Sequence, residues 1–414
     1  MEKTTLPSLL LLPYPPDPIT PASLNAAYRP SLTAALAKLK RPTSASKLIV
    51  AVVCPILNGQ FLRSKTLSWP RAQKLISGLY GLISAICTQH SITIEMDGGP
   101  NSVDTTIILI DHDRTRSFTP DYRPEIMPNN TIIIDMPTFA NAYHPWEFIF
   151  HVRSEIGFEV YQTYLRFAEG KQTLLQEQLI PVEGGLTFNV KTGPASPLAA
   201  QAQSPTYSVV CLGGTFDYLH PGHKLLLAAG ALLLQIPHKD DTPLKPARYI
   251  IGITGDEMLK NKKYAEYVQS WETRARNVLL FLTQLLELSD RGWKDEGYAR
   301  FQEQDGDFRA TFRNGTIEVQ CVRIQDPFGP TITVEEIGAL VVSGETRSGG
   351  QAVNDKRKEQ GWKILDVFEV DVLEAEDVSA SAAGTPTKTE NYESKISSTA
   401  IRQQRARAGS RTKI

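Results

Sequence analysis

Cysteine is scarce in this chain. Its 414 residues include four, Cys54, Cys87, Cys211 and Cys321, far apart and without the paired spacing that a zinc site or disulfide framework requires. Three of them sit in apolar stretches, where a free thiol behaves as a small hydrophobe. A reducing compartment is the simplest setting. An excess of one charge is also missing: 44 basic against 45 acidic residues leave a net charge of −1, which removes any global attraction to nucleic acid or an anionic membrane. No apolar run approaches the ~18 residues of a membrane span. Leu9 to Leu12, the one such run near the start, is cut short by Pro7, Pro13, Pro15 and Pro16, too short for a signal-peptide core. These absences predict a cytoplasmic protein, with the nucleus left open, and no nucleic-acid or membrane partner.

With 41% hydrophobic and 21% charged residues, the chain has an ordinary globular composition and is long enough for two domains with separate cores. Residues 1–30 are proline-rich and read as extended. Residues 31–175 read as a smaller α/β domain, with strands at 48–53, 92–96, 105–110 and 131–134 and helices at 32–39, 71–89 and 145–168. Phe148, Val152, Ile156 and Val160 give the last of these its helical spacing. Residues 176–206 read as a linker, 207–405 as a second domain and 406–414 as a basic tail. The second domain alternates strands at 208–212, 249–253, 317–323, 339–343 and 363–370 with helices at 222–235, 271–288, near 333–337 and at 349–360. That alternation predicts a doubly wound parallel sheet, with ligands at the carboxyl ends of its strands. Three polar stretches, 237–246, 289–314 and 375–393, read as surface insertions.

The most informative stretch is Val210-Cys-Leu-Gly-Gly-Thr-Phe-Asp-Tyr-Leu-His-Pro-Gly-His223, an apolar strand running through a glycine turn into an apolar helix. Gly213 and Gly214 admit a ligand close to the backbone, and Thr215 adds a hydroxyl. His220 and His223 stand on a helix's first turn, where free N–H groups already favour phosphate. Either the pair meets a triphosphate, or two imidazoles happen to flank a turn; the strand before, the helix after and the glycine placement all favour the first reading.

Four separated blocks carry a resemblance: Gly213 to Lys224, Gly252 to Lys262, Asp326 to Pro330 with Val341 to Thr346, and Lys395 to Arg402. In order and spacing they resemble the nucleotidylyltransferase superfamily, and within it the archaeal and eukaryotic phosphopantetheine adenylyltransferases, over roughly residues 206–405. The resemblance implies a Rossmann-like fold and transfer of AMP from ATP to 4′-phosphopantetheine, giving dephospho-coenzyme A and pyrophosphate, with Mg²⁺ entering with ATP. It implies that His223 donates to the α-phosphate, that His220 serves a neighbouring ATP phosphate, and that Thr215 bridges the two reacting phosphates. Gly213, Gly214 and Phe216 belong to the same nucleotide turn. Lys260, Lys262 and Lys263 compete for the acceptor phosphate, Lys262 fitting the family spacing best; a solvated basic stretch is the alternative. Ser397, Ser398 and Thr399 look like the phosphate-binding turn, with Arg402 one turn on, and otherwise like an N-cap cluster.

Gly344, Glu345, Thr346 and Asn354 match the pattern around the nucleotide, although capping explains Asn354 equally well. Bacterial members carry a phosphate-binding arginine where Ser343 stands, and Arg347 is the nearest substitute. Asp217 is expected to hold the turn's shape. The chain contains no Gly-x-x-x-x-Gly-Lys-Ser/Thr string, so the kinase step fused to this activity in animals is expected elsewhere. Two other readings stay open: a cytidylyltransferase for a phospho-alcohol, and a catalytically silent nucleotide-binding scaffold that gathers other coenzyme A enzymes. Residues 31–175 disclose no chemistry; His144 and His151 read as partly buried aromatics, and the region as regulatory, stabilising or oligomerising.

Overall fold

The computed structural model describes residues 6–59, 66–96, 98–119, 121–123, 130–142, 145–186, 204–238, 240–288, 300–304, 306–371, 373 and 397–411. The first half runs β1 (Ser8–Leu12), α1 (Pro21–Leu39), β2 (Ser46–Cys54), β3 (Leu57–Asn58), β4 (Thr66–Leu67), α2 (Trp69–Gln89), β5 (Val103–Asp111), β6 (Ile134–Asp135), α3 (Met136–Ala142), β7 (Ile149–Arg153), α4 (Glu155–Phe167) and β8 (Leu179–Glu183). Six of its strands form a parallel sheet in the order β6-β5-β2-β1-β7-β8. Successive crossovers run from β1 to one edge, then return to its other side, so the winding reverses between β1 and β7.

The second half runs β9 (Val209–Gly214), α5 (Pro221–Ala231), β10 (Ala247–Thr254), α6 (Trp271–Leu286), β11 (Arg300–Gln304), β12 (Asp307–Phe312), β13 (Ile317–Ile324), β14 (Ala339–Ser343), α7 (Arg347–Glu359), β15 (Asp366–Val370) and α8 (Ser398–Arg411). Its sheet has the order β11-β12-β13-β10-β9-β14-β15. Pairing is parallel from β13 to β15 and antiparallel from β11 to β13. The expected doubly wound α/β sheet is therefore present, reversing between β9 and β14.

Several expectations need correcting. Residues 1–30, expected to be extended, hold a fully buried strand at the centre of the first sheet and the first ten residues of α1, which begins at Pro21. Five residues suffice for a strand, and the prolines merely end it. Likewise β8 falls inside the expected linker yet pairs with β7. The expected helix over 145–168 is a strand, β7, followed by α4, because Ser154 ends the strand by N-capping the helix with its hydroxyl on the Gly157 N–H at 3.0 Å. Residues 92–96 form only an isolated bridge from Thr93 to Ser102. A 3₁₀ turn at Gly329–Ile332 stands before the helix expected near 333–337. Within the stretch read as an insertion at 289–314, residues 300–304 and 307–312 are sheet strands. Residues 375–393, His144, Lys395 and Lys413 lie outside the described residues.

Nor are the cores separate. Alternation along β1 sends Leu9 and Leu11 to one face, against α3 and α4, and Leu10 and Leu12 to the other. On that second face one continuous apolar cluster runs through α1 and α2, across α5 and α6, to the inner face of the second sheet. A third cluster covers the outer face of that sheet, with Val353 of α7. The helices on the facing sides of both sheets thus bury against each other, giving five layers in place of two independent units. All four thiols are buried and free, and burial pushes Cys54, Cys87 and Cys211 up to about 12. No helix among the described residues is long and apolar enough to cross a membrane.

Candidate active site

Parallel pairing of Val341 with Leu212 sets the end of β14 beside the end of β9, so Ser343 lies level with Gly214 where the winding reverses. The chain leaves β9 exposed at Gly213 and half-buried at Gly214 and Thr215. It then turns through two left-handed non-glycine residues, Phe216 at φ 53° and Tyr218 at φ 46°. Such conformations persist only where the surroundings impose them. Here Asp217 Oδ1 accepts from the Gln269 N–H at 2.9 Å, the Tyr218 N–H donates to Gln269 Oε1 at 2.8 Å, and the Tyr218 hydroxyl donates to the Tyr267 carbonyl at 2.5 Å. Arg274, wholly buried, donates to the Thr215 carbonyl at 2.7 Å and pairs with Asp256 at 2.6 Å.

The turn delivers His220 to the N-cap of α5, where its side chain makes no capping bond. The first amides of that helix stay free for an anion. The His220 and His223 rings stack with centroids 3.9 Å apart, and Phe216 backs His223 at 5.3 Å. A Cβ on Gly222 would come within 3.2 Å of the His220 ring, which accounts for the glycine between the two. The Nδ1 atoms of both rings are buried without a hydrogen-bond partner among the described residues, an arrangement that costs stability. Burial, then the nearby Lys224 charge, pushes His220 down to about 4. Burial, then His220, holds His223 well below the usual imidazole range. Both rings are therefore neutral at pH 7.

Some 180 residues later in sequence, the start of α8 docks on this turn. The Ser398 hydroxyl donates to the Asp217 carbonyl at 2.9 Å and lies 3.5 Å from His220 Nε2. Arg402, 2% exposed, donates to Asp217 Oδ2 at 2.7 Å, to the Lys263 carbonyl at 3.1 Å and to Thr399 Oγ1 at 3.0 Å. One guanidinium therefore fastens the glycine turn, the lysine loop and α8 together.

Comparison with known proteins divides the chain. Residues 1–188 match a family model described as a domain of unknown function, DUF8446. The phosphopantetheine adenylyltransferase of Saccharomyces cerevisiae is 33% identical over 197 residues, 48% of this chain and 48% of that protein. An uncharacterized protein of Schizosaccharomyces pombe is 32% identical over half of each chain. The chain thus spans about half the length of these curated relatives. Against the phosphopantetheine adenylyltransferase of Pyrococcus furiosus it is 31% identical over 167 residues, 40% of this chain but 79% of the archaeal one. The chain belongs to the phosphopantetheine adenylyltransferase family. The names these relatives carry are those of nucleotidyltransferases.

Measured against the adenylyltransferase pattern, Gly213, Gly214, Thr215, Phe216, His220 and His223 lie along one turn and helix start, Ser397, Ser398 and Thr399 stand at the start of α8 that docks on it, and Ser343, Gly344, Glu345 and Thr346 lie at the adjoining strand end. Other expected site residues are engaged elsewhere. Both polar atoms of the Asn354 amide bond the Leu365 backbone, at 2.8 and 3.0 Å, so this residue pins α7 to the segment before β15. Arg347 forms a bidentate pair with Glu369 at 2.6 Å, and Arg402 is spent on Asp217, leaving neither guanidinium free for phosphate. Ser397 N-caps α8 through the Ala400 N–H at 3.3 Å, and Thr346 Oγ1 accepts from the Ser343 N–H at 3.0 Å. Of the lysines, Lys260 is exposed and paired with Glu257. Lys262 is exposed, with no side-chain partner among the described residues. Asp217 does hold the turn, but through Gln269 and Arg402, not through bonds inside it. Sequence reasoning missed Gln269 and Arg274; a buried-arginine role leaves no local pattern, since its partners come from three separate segments.

Proposed function

We propose that the protein transfers AMP from ATP to 4′-phosphopantetheine, releasing pyrophosphate and forming dephospho-coenzyme A. The observation that carries this reading is the stacked His220–His223 pair, its Nδ1 atoms without a partner among the described residues, beside the exposed Gly213 and half-buried Gly214-Thr215 at the reversal point of the second sheet. A phosphate oxygen of the acceptor attacks the α-phosphorus as the bond to the bridging oxygen of the β-phosphate breaks. The nucleophile is already an anion, so the protein's work is alignment and charge stabilisation. His223 meets the α-phosphate oxygens and His220 an adjoining phosphate. Each imidazole gains the anionic partner its burial lacks, and the bound charge draws its proton affinity back up. Thr215, whose hydroxyl has no partner among the described residues, lies where the two reacting phosphates meet, and Lys262 serves the acceptor phosphate. The only carboxylate in the turn, Asp217, is committed to Arg402 and Gln269. Mg²⁺ therefore enters with ATP, held mostly by phosphate oxygens and water.

Incubating the protein with ATP, Mg²⁺ and 4′-phosphopantetheine tests the reading directly. Pyrophosphate release with dephospho-coenzyme A in the mass spectrum is expected. Turnover only with CTP, or only with another phosphorylated acceptor, reassigns the enzyme; binding of ATP without turnover makes it a scaffold.

A further inference from the structure

The residue immediately after His223 points toward the first sheet. Lys224 is 0% exposed; its ammonium pairs with the Asp104 carboxylate near the start of β5 and donates to the Thr105 carbonyl at 2.7 Å, with the Phe281 ring of α6 5.7 Å away. A lysine on an apolar helix ordinarily extends its head to water. This one crosses the layer between the sheets and ends on the other sheet. Two further bonds cross with it: the Met96 N–H donates to the carbonyl of Leu219, the residue before His220, at 3.0 Å, and Trp69 Nε1 donates to the Ala229 carbonyl at 2.8 Å near the far end of α5. The histidine helix is therefore held by the first half at its entry, its second turn and its end.

We propose that Asp104 is a positioning residue for the adenylyl-transfer site: through the Lys224 ammonium it fixes the first turns of α5 and sets the charge that the His220–His223 pair experiences. The inference rests on the proposed function of that pair. An apolar contact would hold the interface as well, since buried ion pairs rarely stabilise more than well-packed hydrocarbon. What the charges add is a field beside the imidazoles, barely screened by salt. The charged and titratable groups about His220 are His223 and Lys224 on its own helix, Asp217 in the preceding turn, Arg402 on α8 and Asp104 across the interface. Lys224 depresses His220 after burial does, and Asp104 is the carboxylate paired with that ammonium.

The test is an NMR titration of the His220 ring in the ligand-free full chain, with turnover measured alongside, for D104N, K224M and the double variant. Removing the carboxylate leaves the ammonium unopposed, so D104N moves the His220 midpoint down. K224M leaves the carboxylate unopposed and moves it up, and the double variant falls between the wild type and K224M. Turnover falls about tenfold or more in all three, because each loses the charged pair that fixes the first turns of α5. If D104N does not fold, K224M and the double variant carry the same comparison, differing only in the Asp104 charge. An unmoved midpoint in the folded variants, or undiminished turnover, overturns the proposal. Failure of the wild type to release pyrophosphate sinks the functional reading instead, while the ring titration still reads the field.

Discussion

Where β9 and β14 end, the chain runs into Gly213-Gly214-Thr215 and Ser343-Gly344, whereas at the corresponding reversal between β1 and β7 it runs into Pro13-Tyr14-Pro15-Pro16 and Ser154. Both sheets are wound alike up to that point. Prolines offer no N–H to an anion, and the Ser154 hydroxyl is occupied by the Gly157 amide. At the neighbouring strand ends of the first sheet the polar groups satisfy one another: Arg116 pairs with Asp111 at 2.8 Å and reaches toward Asp135, which also takes the Tyr122 hydroxyl. His112 and His151 bury an unpartnered Nδ1 too, so an orphaned imidazole is not the distinction. The distinction is an open glycine backbone and a free helix start beside it. Strand-end geometry alone does not supply an open backbone.

The strongest way to break this contrast is to remove an imidazole on each side. His223→Ala is expected to lower kcat by about a hundredfold to a thousandfold, the loss typical of one preorganised donor, whereas His112→Gln leaves it within about twofold; equal losses in a pyrophosphate-release assay would erase the contrast. Next comes Arg402→Ala, which strands the buried Asp217 carboxylate and costs about 3–5 kcal/mol of stability, read from denaturant unfolding. A smaller loss would mean that the turn holds itself.

A third prediction concerns pH. His220 has a folded-state value near 4 against 6.5 when unfolded, so the unfolded chain binds the extra proton between those values. Its contribution is intact above pH 6.5 and is lost as pH falls toward 4, up to roughly 3 kcal/mol. His220→Gln should flatten the stability curve in that window; an unchanged slope would show that the ring titrates normally. The mildest perturbation is Gly222→Ala. Its methyl crowds the His220 ring and is expected to reduce kcat about tenfold, about 1.4 kcal/mol, while melting temperature holds or rises slightly because alanine favours the helix.

Much of the second sheet was legible because its strands are β-branched runs separated by amphipathic helices, and because the glycine turn must stand at a strand-to-helix junction to work. The first half was harder. Val152 and Ile156 keep a helical spacing only by accident across a strand–helix boundary, and the periodicity conceals the break that Ser154 makes. Leu9 to Leu12, too short for a signal-peptide core, is long enough for a central strand. The direction of Lys224 had one visible sign: it is the single charge within Pro221 to Ala231, in a helix that is otherwise apolar except for His223. Its partner lies 120 residues upstream, and no local pattern connects the two. Asn354 and Arg347 carried the right identities at the right spacing, but their partners, Leu365 and Glu369, emerge only once α7 packs on β15.

The apolar layer sandwiched between the sheets has a consequence for how the molecule comes apart. Neither half owns the leucines and isoleucines that α2 and α5 press together, so cutting the chain between them would leave two greasy slabs facing water, prone to clump. In a calorimeter the whole molecule should melt in a single sharp step, and the glycine turn should lose its shape at the same temperature as the strand that begins at Ser8.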